Sequence, residues 1–138
     1  PWVSGMSQIG IRNVSSTAKD GYDAARGLGS DIISVRQARS LGVEALLARI
    51  PEGERYYLSI DIDAFDPSIA PGTGTPSHGG FLYYEVLELI DGLTQRGEIV
   101  GLDLVEVSPD HDPAGVTSVL GAQLLMNVIG RVLHHRDG

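Results

Sequence analysis

The stretch Tyr56-Tyr57-Leu58-Ser59-Ile60-Asp61-Ile62-Asp63-Ala64-Phe65-Asp66-Pro67 decides how the chain is to be read. Residues 56–63 are rich in aromatic and β-branched side chains, which suits a strand, and the segment then enters a proline turn. Strand side chains alternate, so Ser59, Asp61 and Asp63 are expected on one face and Ile60 and Ile62 on the other. Two carboxylates about 6–7 Å apart on one face repel each other in a low-dielectric interior. A proton, a basic partner or a cation must compensate. No Lys or Arg stands between Arg55 and Arg96, so a basic partner would have to come from elsewhere in the fold. Hard divalent cations such as Mg²⁺ and Mn²⁺ favour carboxylate oxygens. On spacing alone, Asp61, Asp63 and Asp66 serve equally well as caps of a loop. Asp66-Pro67 is a turn signal in its own right, and Asp66 is assigned to structure.

Outward from this stretch, strands are expected at Ser7 to Arg12, Asp31 to Val35 and Ile99 to Val107 as well. Such short apolar runs suit a parallel sheet covered on both faces. Helices are expected between them. Gln37 to Ile50 places Ala38, Leu41, Ala45 and Leu46 on one face before Pro51. Tyr83 to Gln95 does the same with Tyr83, Val86, Leu87, Ile90 and Leu93, and Gly97 suits a C-terminal cap. A last helix is expected from Asp112-Pro113, with Val116, Val119, Leu120, Leu124, Val128, Val132 and Leu133 as its apolar positions. Strand alternating with helix points to a three-layer α/β/α fold with a parallel sheet.

With 138 residues the chain is expected to form a single α/β domain over 1–138. Its hydrophobic content of 42% is enough for a core and excludes wholesale disorder. The absence of Cys excludes disulfides, thiolate metal sites and Cys nucleophiles. Ten basic residues against 18 acidic ones leave a net charge of −8, which repels phosphate backbones and argues against nucleic acid. The apolar runs are broken by polar residues well short of a membrane span, so no membrane is expected. Pro1-Trp2 opens no basic-then-apolar segment, and a cytoplasmic protein is expected. A first residue other than Met suggests a processed or truncated chain.

Open parallel sheets gather their chemistry at the carboxyl ends of the strands. Here two strands end in acidic residues and enter Gly/Pro-rich loops: Asp61 to Pro67, and Glu106-Val107-Ser108-Pro109. The loop Ala70-Pro71-Gly72-Thr73-Gly74-Thr75-Pro76 could bring amides and the Thr75 hydroxyl toward a ligand, or be an ordinary crossover. Ser59 to Pro67, followed by Ala70 to Pro76 and Gly79-Gly80, closely resembles the ureohydrolase family of arginases and agmatinases. Gln8-Ile9-Gly10-Ile11-Arg12 and Gly101 to Pro109 resemble family strands in the expected order. The resemblance covers essentially the whole chain and corresponds to the C-terminal half of a family member.

The resemblance implies an arginase-like fold and manganese-dependent hydrolysis of a guanidino C–N bond with release of urea. It makes Asp61 the carboxylate that bridges two Mn²⁺ ions and Asp63 the carboxylate that binds one of them. Glu106 becomes the acid that holds the substrate guanidinium, and Thr75 a residue beside the reacting carbon. The remaining family ligands, a His and an Asp-X-His-X-X-X-Asp motif, have no counterpart in this sequence. His78 and His111 are read as loop residues, and His134-His135 as solvated. The chain alone is therefore expected to bind metal poorly and to be inactive. Gly72 at the second place of the Pro71 loop leans toward agmatinase-like members. Agmatine, giving putrescine and urea in polyamine biosynthesis, comes first among substrates, before guanidinobutyrate and arginine. The family implies a homo-oligomer, trimer or hexamer. The competing class is a non-catalytic α/β assembly or binding domain, which would not need Asp61, Asp63 and Glu106 together. A phosphate-binding α/β protein would need a Lys near Gly72–Gly74, which is missing.

Overall fold

The computed structural model describes residues 2–13, 18–53 and 55–137, and side chains as far as His134. Pro1 and the His135 side chain lie outside the described residues. The chain divides into two compact units, residues 1–52 and 53–138.

The first unit runs β1 (Met6–Ile11), α1 (Lys19–Gly27), β2 (Ser30–Ser34), α2 (Val35–Leu41) and α3 (Val43–Leu47). β1 and β2 pair in parallel, with a register shift between Ile9 and Ile11 where Gly10 takes a positive φ of 103°. Ser34 closes β2 and caps α2 reciprocally: its hydroxyl accepts from Gln37 N–H at 3.2 Å, while Gln37 Oε1 accepts from Ser34 N–H at 2.9 Å. The helix expected over 37–50 therefore starts earlier, and it divides at Gly42, whose φ of 76° is left-handed. Ala38 and Leu46 are buried as expected, but Leu41, the last residue of α2, and Ala45, beyond the break, are exposed. The helix α1 was not foreseen; none of its residues is buried, so it carries little apolar signal.

The second unit runs β3 (Arg55–Asp61), a 3-10 turn (Ile62–Ala64), α4 (Tyr83–Thr94), β4 (Glu98–Val105), a second 3-10 turn (Pro109–His111) and α5 (Val116–Asp137). β3 and β4 are parallel and in register from Tyr57↔Gly101 to Asp61↔Val105. The described strands thus form two two-stranded parallel sheets where one sheet was expected. Leu58, Ile60, Leu102 and Leu104 turn to a core of Ile60, Ile62, Phe65, Leu87, Ile90, Leu120, Leu124 and Val128. The last three are spaced by four residues, one stripe of α5.

Cover on both faces was expected, but Tyr57 and Ser59 on the other face of β3 are exposed. That face carries its own polar network: Tyr57 Oη donates to Asp103 Oδ2 at 2.7 Å and Ser59 Oγ to Asp103 Oδ1 at 2.6 Å. The Ser59 and Tyr57 hydrogen bonds hold the Asp103 carboxyl below its ordinary range, and Asp103 raises the Tyr57 phenol.

The start of α5 also differs from expectation. Asp112 caps from farther away, its Oδ2 accepting from Thr117 N–H at 2.6 Å across a turn at Gly115, whose φ is 70°. Val116, Val119 and Leu133, among the apolar positions expected of this helix, are exposed. Val116–His134 is long and apolar enough to cross a membrane by length and composition, as the core helix of a water-soluble domain also is. Leu124 and Val128 are nonetheless fully buried in this unit.

Candidate active site

The carboxyl ends of β3 and β4 lie side by side, since Asp61 pairs with Val105 and Glu106 follows at once. The strand stops at Asp61, two residues before the expected acidic pair is complete. Its carboxylate Oδ1 accepts from Asp63 N–H at 3.0 Å and closes the 3-10 turn that carries Asp63. Asp61 and Asp63 thus belong to different backbone geometries, although Ile60 and Ile62 are both buried as alternation requires.

Asp66 anchors the next turn. Its carboxylate accepts from Ser68 N–H at 3.0 Å, Gly79 N–H at 2.8 Å and Gly80 N–H at 3.1 Å. Ser68 first, then the two glycine amides, hold this carboxyl far below the ordinary carboxylate range. Phe65 and Phe81 form a backbone bridge at the same place, with Asp66 N–H donating to Phe81 O and Phe81 N–H to Ala64 O. The structural role read for Asp66 is what the geometry displays.

The Pro71 loop returns to the rim. Thr75 Oγ1 donates to Asp63 Oδ2 at 3.3 Å. Gly74 faces the other side, where a built Cβ would lie 3.7 Å from Glu106 Oε2. Thr73, just before Gly74 in the same loop, is buried, and its hydroxyl has no hydrogen-bond partner among the described residues. Such a group is completed by water or a ligand. Asp61, Asp63, Thr75 and Glu106 therefore meet at one end of the β3–β4 pair.

Glu106 takes a left-handed φ of 65°, the sole non-glycine positive φ among the described residues. Holding a residue with a Cβ there costs about 1–3 kcal/mol, and such strain clusters at sites that must aim a side chain. It turns the chain sharply at the end of β4, and no sequence signal announced it.

The histidines are dispersed. His78 and His134 are exposed, and His111 is exposed with Nδ1 2.7 Å from Ser108 Oγ, within its own turn. No group of three or more His, Asp or Glu side chains among the described residues is placed to hold a metal ion. Asp61 and Asp63 offer hard oxygen donors of the correct kind, but two carboxylates do not complete a metal pair. The described residues alone do not fit such a centre.

A family model for the arginase family matches residues 3–130. The chain belongs to the arginase family. It is 42% identical over 125 residues to a guanidinobutyrase of Pseudomonas aeruginosa, covering 88% of this chain and 39% of that protein. The solved structure of proclavaminate amidino hydrolase from Streptomyces clavuligerus matches with a TM-score of 0.83 and 39% identity, over 92% of this chain and 42% of that one. That of the agmatine ureohydrolase of Thermoplasma volcanium matches with a TM-score of 0.81 and 31% identity, over 96% and 43%. The arginase-family chain thus has the arginase-like α/β/α fold expected for it, and it spans about two fifths of the length of these relatives.

Proposed function

We propose that this chain is the C-terminal part of a ureohydrolase, which adds water across a guanidino carbon and releases urea and an amine. The observation that carries the reading is the meeting of Glu106, Thr75 and Asp63 at one strand end, with Glu106 held in a strained conformation. A carboxylate beside a hydroxyl suits a planar guanidinium, which offers paired N–H donors. In the complete enzyme Glu106 would hold the guanidinium, and Thr75 would orient the reacting carbon. Asp61 and Asp63 would supply part of the donor set for two Mn²⁺ ions, the other donors coming from outside this chain. The exposed Tyr57, Val119 and Met126 support the view that further protein covers these faces, in a complete and oligomeric enzyme.

Relatives named for guanidinobutyrate and for agmatine both resemble the chain, so the shared guanidino C–N bond defines the proposed substrate class. Agmatine and 4-guanidinobutyrate are the first two compounds to assay for urea in the full-length enzyme with Mn²⁺. Glu106→Gln should retain the metal and lose about 10²–10³ in turnover, the scale of removing one aimed electrostatic contact. Asp61→Ala should lose metal and urea release together. Near-normal turnover by Glu106→Gln would overturn the assignment.

A further inference from the structure

The loop that carries Thr75 is fastened on its N-terminal side at Gly72. Its N–H donates to Thr117 Oγ1 at 2.8 Å, and its carbonyl accepts from Ser108 N–H at 2.8 Å. The two backbone groups of a buried residue are thereby tied, one to the first turn of α5 and the other to the connection that follows Glu106. Thr117 is 1% exposed, and its own N–H is held by the buried Asp112 carboxylate at 2.6 Å. There is no room for a side chain at position 72. A Cβ would lie 2.7 Å from Asp112 Cβ and 2.9 Å from Thr117 Oγ1. Two residues along the loop, Gly74 passes Glu106, and Thr75 then reaches Asp63.

We infer that Gly72, Thr117 and Asp112 form an interlock that sets the gap between Thr75 and Glu106, with Thr117 and Asp112 acting as positioning residues. Neither side chain touches the proposed substrate. Thr117 acts through the Gly72 amide, and Asp112 acts by holding the Thr117 backbone, so that the loop and Glu106 keep a fixed separation. Gly74 and Thr75 are too close to this anchor in sequence to move freely while Gly72 is pinned. The catalytic consequence rests on the proposed guanidino hydrolysis; the interlock itself does not.

The test uses the full-length enzyme and compares Thr117→Val, which keeps the shape without the hydroxyl, with Thr117→Ser, which keeps the hydroxyl. Amide hydrogen exchange and steady-state kinetics are read on the same preparations. In Thr117→Val the Gly72 amide should exchange at least about tenfold faster, as expected when a buried donor loses its acceptor. Amides around Leu124 and Val128 should keep their rates. Turnover per folded enzyme should fall about tenfold to a hundredfold, the scale of a misplacement near 1 Å. Thr117→Ser should restore both. Gly72→Ala should loosen the loop in the same way and serves if Thr117→Val does not fold.

An unchanged Gly72 exchange rate in Thr117→Val would overturn the interlock. Faster exchange with turnover per folded enzyme intact would overturn the positioning role of Thr117 and Asp112, since the tie would then be structural only. If the wild-type enzyme releases urea from no guanidino compound, the functional reading falls, and the exchange rates still decide whether the interlock exists.

Discussion

Both units of this chain are built from a parallel strand pair joined by a crossover, yet among the described residues only the second presents a candidate site. In residues 1–52 the crossover from β1 to β2 contains α1, none of whose residues is buried. The strand ends there serve the backbone: Gly10 absorbs a register shift, and Ser34 caps a helix. In residues 53–138 the crossover from β3 contains a long loop pinned by Asp66 and Gly72, then α4, which buries Leu87, Ile90, Leu93 and Thr94. The strand ends there carry Asp61 and Glu106. A βαβ frame supplies a rim in either unit. It becomes a site where the crossover is anchored firmly enough to bring side chains back over the strand ends.

The sharpest way to break this contrast is to remove the anchor. Phe65 is 1% exposed beneath the loop, and truncating such a ring costs about 3–5 kcal/mol. Phe65→Ala should therefore lower the denaturation midpoint and deprotect the amides of β3 and β4. Gly80→Ala acts at the same spot, since its Cβ would sit 2.4 Å from the Phe65 carbonyl carbon and the Asp66 nitrogen. A stability close to wild type in Phe65→Ala would show that the loop is held by its hydrogen bonds alone.

Acid should weaken the anchored unit next. The folded-state Asp66 carboxyl is depressed, chiefly by Ser68 and then by the Gly79 and Gly80 amides. A depressed carboxyl stabilises the fold above its unfolded value, about 3.9 for Asp, and that contribution is lost as pH falls through this value toward the folded one. Asp103 and Asp112 are depressed too, by Ser59 and Tyr57 and by Thr117, so several contributions add in one window. Asp66→Asn should be less stable than wild type at neutral pH, and the difference should narrow below about pH 4. Urea unfolding at a series of pH values measures it. A constant difference down to pH 2 would mean that Asp66 acts through shape, not charge.

What the sequence disclosed follows from what each signal encodes. Alternation along 56–63 located β3 and its buried Ile60, and the acidic strand ends located the rim, because period and end position are local properties. The turn role of Asp66 was legible beside Pro67 for the same reason. Asp63 was misplaced onto the strand because the Asp61 side chain captures the Asp63 amide, a side-chain choice that alternation does not record. The break at Gly42 was hidden inside a continuous apolar pattern, although Ser34-Val35-Arg36-Gln37 spelled the capping box ahead of it. The Thr117–Gly72 bond joins residues separated by 45 positions, and a threonine in a helix's first turn is ordinary. Long-range fastening of this kind leaves no periodic trace. It is the part of the site that only coordinates display.

The smallest effect sets Gly27 of the first unit against Gly72 and Gly80 of the second. Gly27 ends α1 with a helical backbone, and a Cβ there would meet nothing within 4 Å. Alanine restricts the unfolded chain and favours the helix, so Gly27→Ala should stabilise by about 0.4–1 kcal/mol. The gain should appear as a small rise in the denaturation midpoint and as slower exchange of the α1 amides, while urea release in the full-length enzyme stays unchanged. The same substitution at Gly72 or Gly80 meets backbone or buried side chains within 3 Å. Glycine is thus a tolerance at position 27 and a requirement at positions 72 and 80. If Gly27→Ala destabilised the protein or altered turnover, α1 would have to be covered in the complete enzyme, and the first unit would be less passive than its own packing indicates.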